Sequence, residues 1–159
     1  MAGGSYLVAR RINMHIETWD RSSLRDQEAV VGRDRAQGAP LSGGKEHTAP
    51  DFSLKGNDGP LIATDAHVRL AHPTQNKGVQ MLRRGYNFTD GSNALGRLDA
   101  GLFFIAFVRD PDEHYIPMQT RLSSQDAMME YLQHTGSGLF AVPPGVRSRS
   151  GYVGEGLFT

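Results

Sequence analysis

The residues of this chain best suited to chemistry are an imidazole and a guanidinium set sixteen positions apart. His67 stands in the run Asp65-Ala66-His67-Val68-Arg69-Leu70-Ala71-His72-Pro73, and Arg83 in Leu82-Arg83-Arg84-Gly85-Tyr86-Asn87-Phe88. A neutral imidazole offers a transition metal such as iron one nitrogen ligand. A guanidinium keeps its charge at every accessible pH and stabilises negative charge that develops beside it. Each residue also has a plainer use. A lone histidine before an alternating stretch can be structural or superficial. Two consecutive strand arginines point to opposite faces and can be edge charges that discourage aggregation.

The elements that must position these groups follow from periodicity and punctuation. Tyr6, Val8, Ile12, Met14 and Ile16 recur at period two, interrupted only by Arg10, so residues 5–17 read as a half-buried strand. Ser22 or Ser23, with Asp26 beyond, offers an N-cap for a helix through Val31, and Gly32 supplies its stop. Residues 34–66 carry eight Gly and Pro residues without a sustained period, a loop long enough to be functional since it delivers the chain to His67. Met81–Phe88 reads as a strand, Gly91–Gly96 as a turn, and Leu102–Val108 as a central strand buried on both faces. Asp110-Pro111-Asp112 ends that strand in a turn. Ser123 with Asp126 opens a second helix whose apolar face is Met128, Met129 and Leu132 and whose C-cap is Gly136. Tyr152–Phe158 reads as a short closing strand. The order strand, helix, strand, strand, helix, strand is the split βαβ plan. It predicts an α+β, ferredoxin-like domain over 1–159, an antiparallel sheet with helices on one face.

Composition narrows the function. Lys+Arg and Asp+Glu balance at 17 each, so no overall field draws in nucleic acid or an anionic membrane. With no Cys, disulfides, thiolate ligation, iron–sulfur clusters and a cysteine nucleophile are excluded, and a metal must be held by His or carboxylate. No apolar stretch approaches the roughly 20 residues of a spanning helix. Arg10-Arg11 is followed by an alternating polar stretch that reads as a strand, not an export signal. His67 and His72 lie five apart without the carboxylate motif of a zinc protease. Gly136-Ser137-Gly138 lacks nucleophile-elbow spacing and reads as a turn, and the sequon Asn87-Phe88-Thr89 falls on a strand predicted to be buried.

Beyond these readings, the chain resembles the dye-decolorising peroxidase and deferrochelatase family through nearly its whole length. The likeness is carried in order by Gly3-Gly4-Ser5-Tyr6-Leu7-Val8, Arg10-Arg11-Ile12, Trp19-Asp20-Arg21, Gly32-Arg33-Asp34 and Gly38-Ala39-Pro40-Leu41. It continues through the two segments around His67 and Arg83, then Asp99 to Phe107, Arg109-Asp110-Pro111, Pro117-Met118-Gln119 and Pro143-Pro144-Gly145-Val146.

The resemblance implies the C-terminal, haem-ligating half of a dimeric α/β-barrel-type peroxidase, with the N-terminal half absent and full-length relatives exported by the twin-arginine route. It implies haem b (iron protoporphyrin IX) as cofactor, with His67 as proximal iron ligand. Arg83 would be the catalytic arginine over the distal face, and Arg33 would reach a haem propionate. His72, Pro73 and Thr74 would line the haem, although the residue at the position of Thr74 is often basic in relatives. Glu130 is the candidate acceptor for the second ring nitrogen of His67. Hydrogen peroxide, an organic reductant and a separate N-terminal peroxidase half are the implied partners. Family members carry a GxxDG motif whose aspartate shuttles a proton, and this sequence has no match: Thr89-Asp90-Gly91 follows Arg83 and reads as a turn. Two functions therefore stand side by side, a haem peroxidase part and a non-catalytic haem- or porphyrin-binding module.

Overall fold

A computed structural model describes residues 3–146, 148–149 and 151–157. The chain runs β1 (Ser5–Met14), α1 (Ile16–Trp19), α2 (Leu24–Val31), the two-residue strands β2 (Lys55–Gly56) and β3 (Gly59–Pro60), and α3 (His67–Leu70). It continues through β4 (Leu82–Ser92), β5 (Leu98–Val108), α4 (Pro111–His114), α5 (Ile116–Gln125) and β6 (Leu132–Val142). Short 3-10 turns cover Pro73–Gln75, Ala127–Glu130 and Glu155–Leu157. The four long strands form one sheet in the order β4-β5-β1-β6, with β1 and β4 each antiparallel to β5. The first strand in a central place and the last at its flank is the ferredoxin-like arrangement, as the element order predicts. By contacts the chain divides into two compact units. The described residues of 1–13, 80–116 and 134–159 form a sheet unit, and 14–79 with 117–133 form a helical unit.

Register decides the faces of the sheet unit. Ala106 stands between Val8 on β1 and Arg83 on β4, and Val108 stands opposite Tyr6. Val8, Ala106 and Val108 are buried with Phe104, Met81 and Tyr115 packed against them, so this face is the core of the unit. Arg10 lies on the same face and donates to the Tyr115 hydroxyl at 3.0 Å and to Ser137 Oγ at 2.9 Å. Burial, and then the charge of Arg10, push the pKa of His134 down. The alternate face carries Leu82, Tyr86, Phe103 and Phe107, all exposed. β5 is therefore buried on one face and open on the other, which corrects the expectation that it is buried on both. An uninterrupted apolar run does not reveal which of its alternate residues the core receives.

Further expectations change. The second helix is α5, which ends at Gln125 instead of starting at Ser123. The hydroxyls of Ser123 and Ser124 bond back to the carbonyls of Gln119 and Thr120 four residues earlier, so these serines are interior helix residues and not caps. Met128 and Met129 then sit in a 3-10 turn, and Leu132 begins β6, which runs through Gly136 and Gly138. Residues 151–157 hold a turn and one 3-10 turn in place of the closing strand, and Phe158 lies outside the described residues. Asp90 is not in a turn but in β4, where it and Asp99 each meet Arg11 Nη2 at 2.9 Å while the Arg11 guanidinium covers the Phe88 ring at 4.2 Å. Asn87, placed by sequence on a buried strand, is exposed.

In the helical unit the first turn of α2 matches its sequence signal. Ser23 Oγ accepts from the backbone N–H of Asp26 and donates to its carboxylate, a reciprocal cap. The helix stops at Gly32, whose φ of 86° is the left-handed conformation that glycine adopts without strain. The long loop is ordered by its own backbone: Leu41 N–H returns to Gly32 O and Asp34 N–H to Ala39 O, and its buried residues include Ala39, Pro40 and Ile62.

Candidate functional site

His67 opens α3, a single turn of four residues whose N-cap, Ala66, brings no side-chain hydrogen bond. One turn fixes several dihedrals for little hydrogen bonding and does not stand alone, so the neighbours must hold it. Gly32 supplies part of the seat: a Cβ there would run into Val68 Cγ1 and crowd Ile62 and Ala66, so only glycine lets the end of α2 approach α3 this closely. Arg69 Nη1 ties α3 to the loop through the carbonyl of Ile62 at 3.0 Å. From the far side of the sequence, Ala127 N–H reaches Asp65 O at 3.1 Å, just ahead of the helix.

The decisive contact comes from the residue that follows α5. His67 Nδ1 lies 2.6 Å from Asp126 Oδ2, while Asp126 Oδ1 accepts the Met128 N–H at 2.9 Å. The Asp126 side chain is 2% exposed and the His67 side chain 32%. A carboxylate only accepts, so Nδ1 carries the proton of the neutral ring and Nε2 keeps its lone pair. This is the arrangement of a histidine ready to bind a metal: ring direction and tautomer fixed from behind, the other nitrogen free. The acceptor is Asp126 and not Glu130, which is exposed at the end of the 3-10 turn. The sequence marks Asp126 only as the partner of Ser123 at the start of a helix; the structure makes it the N-cap of the 3-10 turn instead, and nothing local shows that its second oxygen serves a residue 59 positions away.

The other candidates divide between the two units. His72 lies in the helical unit, caps the 3-10 turn at Pro73 and accepts the Thr74 N–H on Nδ1 at 3.3 Å, with its ring edge-on to Phe52. The same Nδ1 lies 2.9 Å from Thr74 Oγ1, so this ring is held within its own turn and, unlike His67, by no carboxylate among the described residues. Arg33 is in the same unit and gives one nitrogen to the carbonyls of Gly38 and Glu46, at 2.6 and 2.9 Å, tying the Gly-rich loop together. Its Nε and Nη2 make no hydrogen bond among the described residues, and it lines an open groove of about 280 Å³ with Trp19, Glu28 and Asp34. Arg83 belongs to the sheet unit, exposed on the outer strand β4, with no hydrogen bond or ion pair among the described residues. Arg84 points to the other face and lies over the Tyr86 ring.

No three His, Asp or Glu side chains converge as a cage for a bare ion among the described residues. The donor set is a single imidazole backed by one buried carboxylate. That suits an iron already chelated in a macrocycle, which needs one axial nitrogen from the protein. The family model for the C-terminal part of Dyp-type peroxidases matches residues 1–147. The chain belongs to the Dyp-type peroxidase family. This Dyp-type chain is 39% identical over 157 residues to the deferrochelatases of Escherichia coli K12 and Shigella flexneri, covering 98% of itself and 37% of each of them. Among solved structures it superposes with a TM-score of 0.92 on DtpA of Streptomyces lividans at 41% identity, covering 98% of itself and 43% of that chain. A DyP-type peroxidase of Streptomyces coelicolor gives a TM-score of 0.91 at 42% identity, covering 97% and 42%. The Dyp-type chain thus spans well under half the length of these relatives. None of its described helices is long and apolar enough to cross a membrane.

Proposed function

We propose that the chain is the haem b-binding part of a Dyp-type peroxidase, reducing hydrogen peroxide at the expense of a bulky organic donor together with an N-terminal half. In this reading His67 Nε2 binds the iron, Arg83 is the catalytic cation, and Arg33 meets a propionate with the guanidinium donors left free by Gly38 and Glu46. His72, Pro73 and Thr74 line the haem, with His72 Nδ1 held by Thr74. When bound, the haem supplies the iron at which peroxide is reduced.

The observation that carries the reading is the His67–Asp126 pair. Asp126 holds the Nδ1 proton and the ring direction, leaving His67 one donor atom, and hydrogen bonding to a carboxylate raises its basicity. Arg83 contributes an always-charged, planar set of donors, able to stabilise negative charge but not to hand over a proton at neutral pH. Family membership and the iron of DtpA, solved in ferric and oxyferrous forms, support the choice of haem.

A second reading, a haem- or porphyrin-binding module without turnover, is favoured by the state of Asp90. The carboxylate of the sequence's Asp-Gly after Arg83 is occupied by Arg11, so it is no substitute for a proton-shuttling aspartate. Hemin titration followed by peroxide-dependent dye oxidation separates the readings. Wild type is expected to give a Soret band that His67→Ala shifts or abolishes. An unchanged spectrum in His67→Ala refutes ligation, and binding without turnover above free hemin selects the module.

A further inference from the structure

We propose that Asn76 is a positioning residue for His67, fastening the C-terminal end of α3 to the helix that carries the His67 acceptor. The inference rests on the reading of His67 as ligand and adds a residue that neither motif nor family likeness singled out. Asn76 is 9% exposed, and both its amide donors and its oxygen are engaged. Its Nδ2 donates to the carbonyls of Leu70 and His72, both at 2.8 Å, and its Oδ1 accepts from Arg121 Nη1 at 3.2 Å. Leu70 O is one of the carbonyls that a helix end leaves without an internal partner. Arg121 also donates to Gln75 O.

Arg121 is on α5, and Asp126 follows the last residue of that helix. One stiff element thereby grips a one-turn helix at both ends: at its start through Ala127 N–H to Asp65 O and the Asp126–His67 bond, and at its finish through Arg121 and Asn76. The backbone is bent to bring Asn76 inward. Lys77 immediately after it has φ of 53°, the left-handed region that a residue with a Cβ enters at a cost, and Gly78 follows at 81°. With four residues and no side-chain N-cap, α3 has no stiffness of its own to fix a ring direction. Removing the finish-side grip lets the helix pivot about its start, and the 2.6 Å contact at Nδ1 is the first to lengthen. Without that contact the ring has no reason to keep its proton on Nδ1.

The test uses the ¹⁵N-labelled 159-residue chain without hemin, at a pH where the imidazole is neutral, and reads the His67 tautomer from long-range ¹H–¹⁵N correlations. Asn76→Asp keeps the shape and the acceptor for Arg121 but removes both donations. Arg121→Met removes the tie to α5 and leaves Asn76 intact. Wild type is expected as the Nδ1–H form, and both variants as a mixture containing Nε2–H, with far-UV circular dichroism and amide dispersion unchanged. Hemin dissociation constants are expected to rise about tenfold to a hundredfold, the range for groups that orient a metal ligand. Folded variants that keep the wild-type tautomer overturn the proposal; if Asn76→Asp does not fold, Arg121→Met decides alone. Because the tautomer is read without hemin, its outcome is independent of whether His67→Ala disturbs the haem spectrum.

Discussion

Asp126→Asn is the substitution whose outcome the geometry constrains most tightly. Both oxygens of Asp126 accept, Oδ1 from Met128 N–H and Oδ2 from His67 Nδ1–H, and asparagine has only one oxygen to offer. If that oxygen turns to His67, the amide group faces the Met128 N–H, and the lost cap costs about 1 kcal/mol. If it stays with Met128, the amide faces Nδ1–H, and a hydrogen bond to a charged group worth roughly 1.5–3 kcal/mol is lost. A third arrangement satisfies every partner: His67 moves its proton to Nε2, Nδ1 accepts from the new amide, and the cap is kept. The variant is thus expected to lose no more than about 1 kcal/mol of stability, because the tautomer change spares both hydrogen bonds. With His67 Nε2 as the ligand, as proposed, that nitrogen now bears a hydrogen, and hemin affinity is expected to fall about tenfold to a hundredfold. Urea denaturation of the hemin-free chain gives the first quantity, and Soret-monitored hemin titration the second. Unchanged hemin affinity in a folded Asp126→Asn chain would refute the argument that the carboxylate sets the ligand atom.

Two other outcomes follow from the structure. Gly32→Ala places a side chain at φ of 86° against Val68 and is expected to destabilise the chain by roughly 2–5 kcal/mol, the sum of left-handed strain and overpacking, read as a lower urea midpoint. His134 has its folded pKa held below the ordinary 6.5 by burial and then by Arg10, so the unfolded chain takes up the proton first. Stability is expected to be full above pH 6.5 and to fall as the pH drops through the folded value, and His134→Gln should flatten that part of a Tm-against-pH curve.

The parts of the fold that the sequence makes legible are those whose causes are local. Ser23 and Gly32 bound α2 because a cap and a left-handed stop act within a few residues, and the alternation from Tyr6 gives β1. The misplacement of the second helix has an equally physical cause. Serine bonds either forward as a cap or backward to the fourth preceding carbonyl, and Ser123 does the latter. β6 hides behind Gly136 and Gly138, which read as punctuation until Gly136 is found packed beside Arg11 on the adjacent strand. His67 and Arg83 stand out by type and spacing. Asp126, Asn76 and Arg121 do not, because what they do depends on residues 59, 4 to 6 and 45 to 46 positions away that only folding brings to them.

The exposed outer strand β4 has a consequence for solubility. Among the described residues it pairs on one side only, with β5, and leaves the other row of backbone donors and acceptors open beside Leu82, which is 75% exposed. Such a border invites a second strand to zip onto it, and adjacent charges are what usually prevent this. Arg83 and Arg84 are those charges here. An apolar replacement of Arg83 therefore alters two things at once, the chemistry proposed for the guanidinium and the tendency of molecules to adhere edge to edge. Arg83→Lys keeps the repulsion while discarding the planar, forked donor geometry, so lost turnover in a variant that remains monodisperse can be assigned to the guanidinium itself.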